Sequence, residues 1–149
     1  MRVIKYIVVH CTAGPQDRTT ESIRKYWKNG LGWKNVGYHL LISKDGSYER
    51  LADDSQITNG VGGHNANAIH ISYKGGVDSK GRALDNRTPE QKRTLLTLLR
   101  TLKAKYPKAI IQGHRDFSPD KNKNGIIEPW EYIKMCPSFD AKKEYKDIK

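Results

Sequence analysis

Three side chains in this sequence could hold a transition metal. His10 closes the apolar run Ile7-Val8-Val9, His114 follows a second run, Ala109-Ile-Ile-Gln112, and Cys136 lies beyond a polar stretch. Two imidazoles and one thiolate are suitable donors, and three protein ligands leave a four-coordinate metal one position open for reaction. Their separations are too long for the local spacing of a zinc finger, so only the fold can join them. A histidine at a strand end is by itself more commonly packed or solvated than metal-bound. What favours a site is that two strand ends and one loop can converge on a single sheet edge.

A second metal pattern is local. In Asp120-Lys-Asn122-Lys-Asn124-Gly125-Ile126-Ile-Glu-Pro-Trp-Glu131, oxygen-bearing side chains stand at the first, third and fifth positions. Gly125 stands at the sixth, the Ile126 carbonyl at the seventh and a glutamate at the twelfth, as in a calcium-binding loop. Two asparagines lower the ligand charge, which suits weak Ca2+ binding in a calcium-rich exterior. Pro119 opposes an entering helix and Pro129 fits the first turn of an exiting one, so half of an EF-hand is expected. A polar turn without a cation is the competing reading.

The elements that would position these residues are readable from periodicity. Val3 to Cys11 reads as a strand buried on both sides. A polar start at Thr19 to Ser22 and a stop at Gly30 predict a helix from about Glu21 to Asn29. Tyr38–Ile42 and Tyr48–Leu51 flank Asp45-Gly46, the signal of a hairpin. The Gly- and Asn-rich stretch from Ala52 to Asn67 reads as a long exposed loop. Ala68 to Tyr73 returns to a strand. Thr88-Pro-Glu-Gln91 is a capping box that opens a helix to about Lys105, with Leu95, Leu96, Leu98, Leu99 and Leu102 as its apolar stripe. Ala109 to Gln112 is a short strand, and a charged tail follows Cys136. Strands interleaved with helices give an α/β (α+β) fold, a small mixed central sheet flanked by helices, in one domain spanning 1–149.

Apolar residues make up 36% of the 149 and charged residues 29%, the balance of a folded domain. The net charge of +11 pulls on anionic partners such as nucleic acid, anionic lipid or an anionic cell wall. The basic residues are scattered and form no reading motif, so specific nucleic-acid binding is not expected. The apolar run near Met1 is too short for a signal peptide, and no segment is long enough to span a membrane. The expectation is a monomer made in the cytoplasm. Cys11 and Cys136 do not make a disulfide framework, so one or both are free or bind metal. Alternation along the first strand turns Cys11 away from the face of His10.

Four segments occur in a recognisable order: Val8-Val-His10-Cys-Thr-Ala13, Val36-Gly-Tyr38-His39-Leu40, Gly113-His114-Arg-Asp116 and Lys134-Met-Cys136-Pro-Ser-Phe-Asp140. From about Ile4 to Asp140 the chain resembles N-acetylmuramoyl-L-alanine amidases of the phage lysozyme type, whose fold is that of the peptidoglycan recognition proteins. The resemblance implies Zn2+ held by His10, His114 and Cys136, with Tyr38 and Lys134 beside the metal. Its substrate would be the amide between N-acetylmuramic acid and L-alanine in peptidoglycan. A neutral Tyr38 would handle protons and the Lys134 ammonium would stabilise an oxyanion. His64 and Asn65 fall in the segment that borders the family's groove. His70 departs from the small residue usual there and reads as a strand residue with a local hydrogen bond.

The leading reading is a phage or prophage endolysin that reaches the wall after release, through a holin. Two alternatives share the fold. A peptidoglycan-binding module without activity would lack the cysteine ligand, and a cytoplasmic amidase recycling anhydro-muropeptides would carry an aspartate in its place.

Overall fold

The run that begins at Val3 becomes β1, Tyr6–Cys11, and it lies inside the sheet, as its continuous burial requires. In the computed structural model, which describes residues 2–149 and leaves Met1 outside the described residues, β1 pairs in parallel with β4 (Ala68–Tyr73) and β5 (Ile110–Gly113). β2 (Leu40–Ile42) is parallel to β4, and β3 (Tyr48–Arg50) closes the hairpin antiparallel to β2. The order is β3-β2-β4-β1-β5, a mixed sheet of the expected α/β kind.

Alternation divides this sheet into two faces. Ile7, Val9 and Cys11 of β1 join Ile69, Ile71 and Tyr73 of β4 in the main core. Against them packs α2, Pro89–Lys105, through Leu95, Leu99 and Leu102. Its capping box forms as expected, with Gln91 N donating to Thr88 Oγ1 at 3.1 Å and Thr88 N donating to Gln91 Oε1 at 3.0 Å. The opposite face carries Val8 and Ala68 with Val61. His10 and His70 continue it towards the C-terminal ends of the strands.

Several elements differ from expectation. α1 spans Thr20–Lys25, and the chain then widens into a π-turn, Tyr26–Gly30, in which Leu31 N donates to the Tyr26 carbonyl at 3.0 Å. Trp27 is buried there against Leu41. The segment from Ala52 to Asn67 is not wholly exposed: Ala52, Thr58 and Val61 are buried, and Asn59 N donates to the Val36 carbonyl at 2.9 Å. The exiting α-helix expected for half an EF-hand does not form. Pro129–Glu131 makes a single 3-10 turn, because the buried Glu131 carboxylate turns back to accept Glu128 N at 2.8 Å.

The charged tail also folds. α3, Ala141–Glu144, buries Ala141 and is followed by a buried Tyr145. Arg87 fixes it, pairing with Asp85 at 2.8 Å and Glu144 at 2.8 Å while its guanidinium lies 3.4 Å from the Phe139 ring centroid. Because α3 follows Cys136 closely in the chain, its pairing with Arg87 ties that segment to the core.

Candidate metal centre

Three elements bring the candidate metal donors to one sheet edge. His10 is 1% exposed at the end of β1. β5 stops at Gly113, where the Asp116 carboxylate accepts Gly113 N at 2.8 Å and starts the 3-10 turn His114–Phe117. Cys136 is set down on this edge by its backbone and neighbours. Arg115 N donates to the Cys136 carbonyl at 2.8 Å, Tyr73 Oη donates to the Pro137 carbonyl at 2.6 Å, and Ser138 Oγ donates to the Gly76 carbonyl at 2.7 Å. A Cβ on Gly113 would stand 2.6 Å from Pro137 Cδ, so only glycine lets this segment approach β5 so closely.

The donor atoms of His10, His114 and Cys136 all lie within 4.8 Å of one another, and Cys136 Sγ is 3.8 Å from His10 Nδ1. Ligand atoms around a tetrahedral zinc stand about 3.3–3.6 Å apart, so small side-chain movements suffice to close the set around the ion. Cys11 is outside it: its thiol belongs to the main core and both cysteines are free. It is nonetheless a neighbour of the site: its thiol hydrogen-bonds the Cys136 thiol, and Cys11 N donates to Cys136 Sγ at 3.2 Å.

Electrostatics suit ligation. Burial holds His10 well below the usual imidazole value and lowers His114 to about 4, the Lys134 charge adding to both. Both imidazoles are therefore neutral, with lone pairs to offer. Burial pushes the Cys136 thiol up. Cys136 would ligate as a thiolate, its proton released to solvent, because a bound cation would supply the opposite charge that burial withholds.

Tyr38 leans over the centre, its ring centroid 5.1 Å from that of His10, and its hydroxyl donates to the Cys11 carbonyl at 3.3 Å. Trp27 backs it edge-on at 5.3 Å. Burial pushes the phenol up, so it stays protonated. Lys134 is exposed, two residues before Cys136, and lines a cleft with Val61, His114, Phe117 and Ile133.

The other candidates are not among the three converging donors. His64 packs against Phe117 at 4.6 Å and Tyr6 at 5.9 Å between ring centroids. Asn65 turns its side-chain oxygen inwards, accepting Val61 N at 2.7 Å. In the calcium-type loop, Asp120 Oδ2 accepts Gly125 N at 2.7 Å while Oδ1 is buried without a partner. Asn122 and Asn124 donate their amides to Glu128 Oε1 at 2.9 and 2.6 Å, and the Glu131 carboxylate accepts backbone N–H groups of Lys121 and Glu128.

Sequence reasoning missed one residue beside the metal set. His70, fully buried, bonds across strands to His10, with 2.8 Å between His10 Nε2 and His70 Nδ1. The available signal was alternation. His10 pairs with Ser72 in the β1–β4 register and His70 lies two residues from Ser72, so the two histidines share a face.

Residues 1–125 match the family profile of N-acetylmuramoyl-L-alanine amidases. The chain is 37% identical over 139 residues to the endolysin of Escherichia phage T7, covering 92% of this chain and 82% of that protein. The solved structure of the N-acetylmuramoyl-L-alanine amidase LysC from Clostridium intestinale URNW superposes with a TM-score of 0.67 at 29% identity, over 86% of this chain and 80% of LysC. Bumblebee PGRP-SA shares the fold, with a TM-score of 0.72 at 19% identity over 97% and 81% of the two chains.

Proposed function

The chain belongs to the N-acetylmuramoyl-L-alanine amidase family, and on that premise we propose that it cleaves the lactyl amide between N-acetylmuramic acid and L-alanine with a zinc ion held by His10, His114 and Cys136. The observation that carries this reading is the convergence of those three donors within 4.8 Å at one sheet edge. Zinc in a three-ligand site supplies Lewis acidity and a nucleophile at neutral pH.

The chain's own groups do the rest. Tyr38, kept protonated by burial, holds a proton at Oη and orients the attacking and leaving groups. Lys134 presents an ammonium from the exposed side, in the cleft it shares with His114, and its role is to stabilise the oxyanion. The net charge of +11 draws the protein to an anionic wall. Among the described residues no helix is long and apolar enough to cross a membrane. The reading is that of an endolysin acting on the wall as a monomer after release. The test is mass spectrometry of digested peptidoglycan. New L-alanine amino termini without new reducing ends support the amidase; new reducing ends, or no release, reject it.

We also propose that the loop 120–131 binds calcium through Asp120, Asn122, Asn124, the Ile126 carbonyl and Glu131. Beyond the spacing, its support is Asp120 Oδ1, buried without a partner. The asparagine amides would turn to present oxygen in place of nitrogen. Calcium added to the zinc-loaded protein is expected to raise stability by about 2.7 kcal/mol at a hundred times the dissociation constant, a shift of several degrees in Tm. Asp120→Asn should abolish the shift, since Asn keeps an acceptor for Gly125 N but removes the charge. Absence of any shift in the wild type at millimolar calcium rejects the site.

A further inference from the structure

His10 presents Nδ1 towards Cys136 Sγ at 3.8 Å and Nε2 towards His70 Nδ1 at 2.8 Å. His70 in turn places Nε2 2.9 Å from Asn65 Oδ1. The direction of each bond in this chain follows from its far end. Val61 N, a backbone donor, meets Asn65 Oδ1 at 2.7 Å, so that atom is the amide oxygen and accepts. His70 Nε2 must then carry a hydrogen, which leaves Nδ1 of the neutral ring bare. A bare His70 Nδ1 accepts from His10 Nε2–H, and His10 is left with its lone pair on Nδ1, facing the other two donors.

We propose that His70 and Asn65 are positioning residues for the metal: through these two hydrogen bonds they select the tautomer and ring orientation of His10 that ligation by Nδ1 requires. Metal-bound histidines ordinarily have a partner on the second ring nitrogen, and loss of such a partner typically weakens binding about 10–100-fold. Here the partner is another imidazole, fully buried. The surroundings are built around it. A Cβ on Gly60 would stand 2.3 Å from His70 Nδ1, so glycine makes the space for the ring. The His70 backbone is clamped as well, its N donating to His39 Nδ1 at 3.0 Å and its carbonyl accepting His39 N at 2.9 Å.

The inference rests on the zinc reading above, and one experiment separates the two. Zinc affinity is measured by competition with a chromophoric chelator for wild type, His70→Asn, His70→Leu and Asn65→Ala, and the d–d absorption of the cobalt-substituted proteins is recorded. His70→Asn puts an amide oxygen near the place of Nδ1 and keeps an acceptor for His10; His70→Leu fills the volume and offers none. The expected order is wild type, then His70→Asn, then His70→Leu, the last weaker by about 10–100-fold with a changed cobalt spectrum. Asn65→Ala, which leaves β4 untouched, should weaken binding in the same direction. Equal affinity in wild type and His70→Leu overturns the positioning role, as does equal loss in His70→Asn and His70→Leu. If His70→Leu does not fold, unchanged affinity and spectrum in Asn65→Ala overturn it. A wild type that binds no zinc overturns the metal reading, and the inference with it.

Discussion

Alanine at Cys136 is expected to remove both zinc and hydrolysis. Cys136 supplies the only anionic donor of the set, and its sulfur lies 3.8 Å from His10 Nδ1. Two neutral imidazoles on a rigid edge would remain, which leaves the cation without charge compensation and with a second site open to water. Zinc should fall from one per chain to well below it, and the rate should fall by more than the roughly 10–100-fold typical of residues that only support a ligand. His114→Ala should behave alike. Cys11→Ala is the control: its thiol neighbours the Cys136 thiol but is not one of the three converging donors, and the backbone N that donates to the sulfur is kept, so zinc should be retained. Elemental analysis and rates on the three variants decide it, and full zinc in Cys136→Ala would reject the assignment.

Tyr38→Phe and Lys134→Ala are expected to lose activity while keeping the metal. The phenyl ring preserves the packing on Trp27 and His10 and loses only the hydroxyl that reaches the Cys11 carbonyl. Lys134 is exposed, so its removal leaves no cavity. Loss of a charge-stabilising donor costs about a hundred- to a thousand-fold in turnover, and loss of a proton-handling group falls in a similar range. Zinc content and melting temperature should match wild type. Near-normal turnover in either variant would take that residue out of the mechanism.

The contrast between legible and illegible parts of this chain has physical causes. β1, β4 and α2 were readable because burial on a sheet face or helix stripe imposes a period, and the capping box marks the start of α2. α3 was not. Its burial rests on Ala141 and Tyr145 among lysines, and on an ion pair from Arg87, far away in sequence. The loop pattern at 120–131 suggested an exiting helix, yet Glu131 folds back onto the loop's own backbone and the turn ends after three residues. His10, His114 and Cys136 were nameable from residue type and family resemblance, but only the strand order puts their donors together. His70 was visible as a residue and hidden as a partner, because a hydrogen bond between neighbouring parallel strands leaves no local spacing to read.

In the proposed function one zinc ion, held by these three donors, carries the hydrolysis. The most direct measurement of this is a titration of metal-free protein with zinc, following release of L-alanine amino termini from purified peptidoglycan. No rate is expected without metal, then a rise in proportion to added zinc and a plateau at one equivalent per chain. Full hydrolysis by the metal-free chain would contradict it, as would a plateau reached by His114→Ala at the wild-type rate.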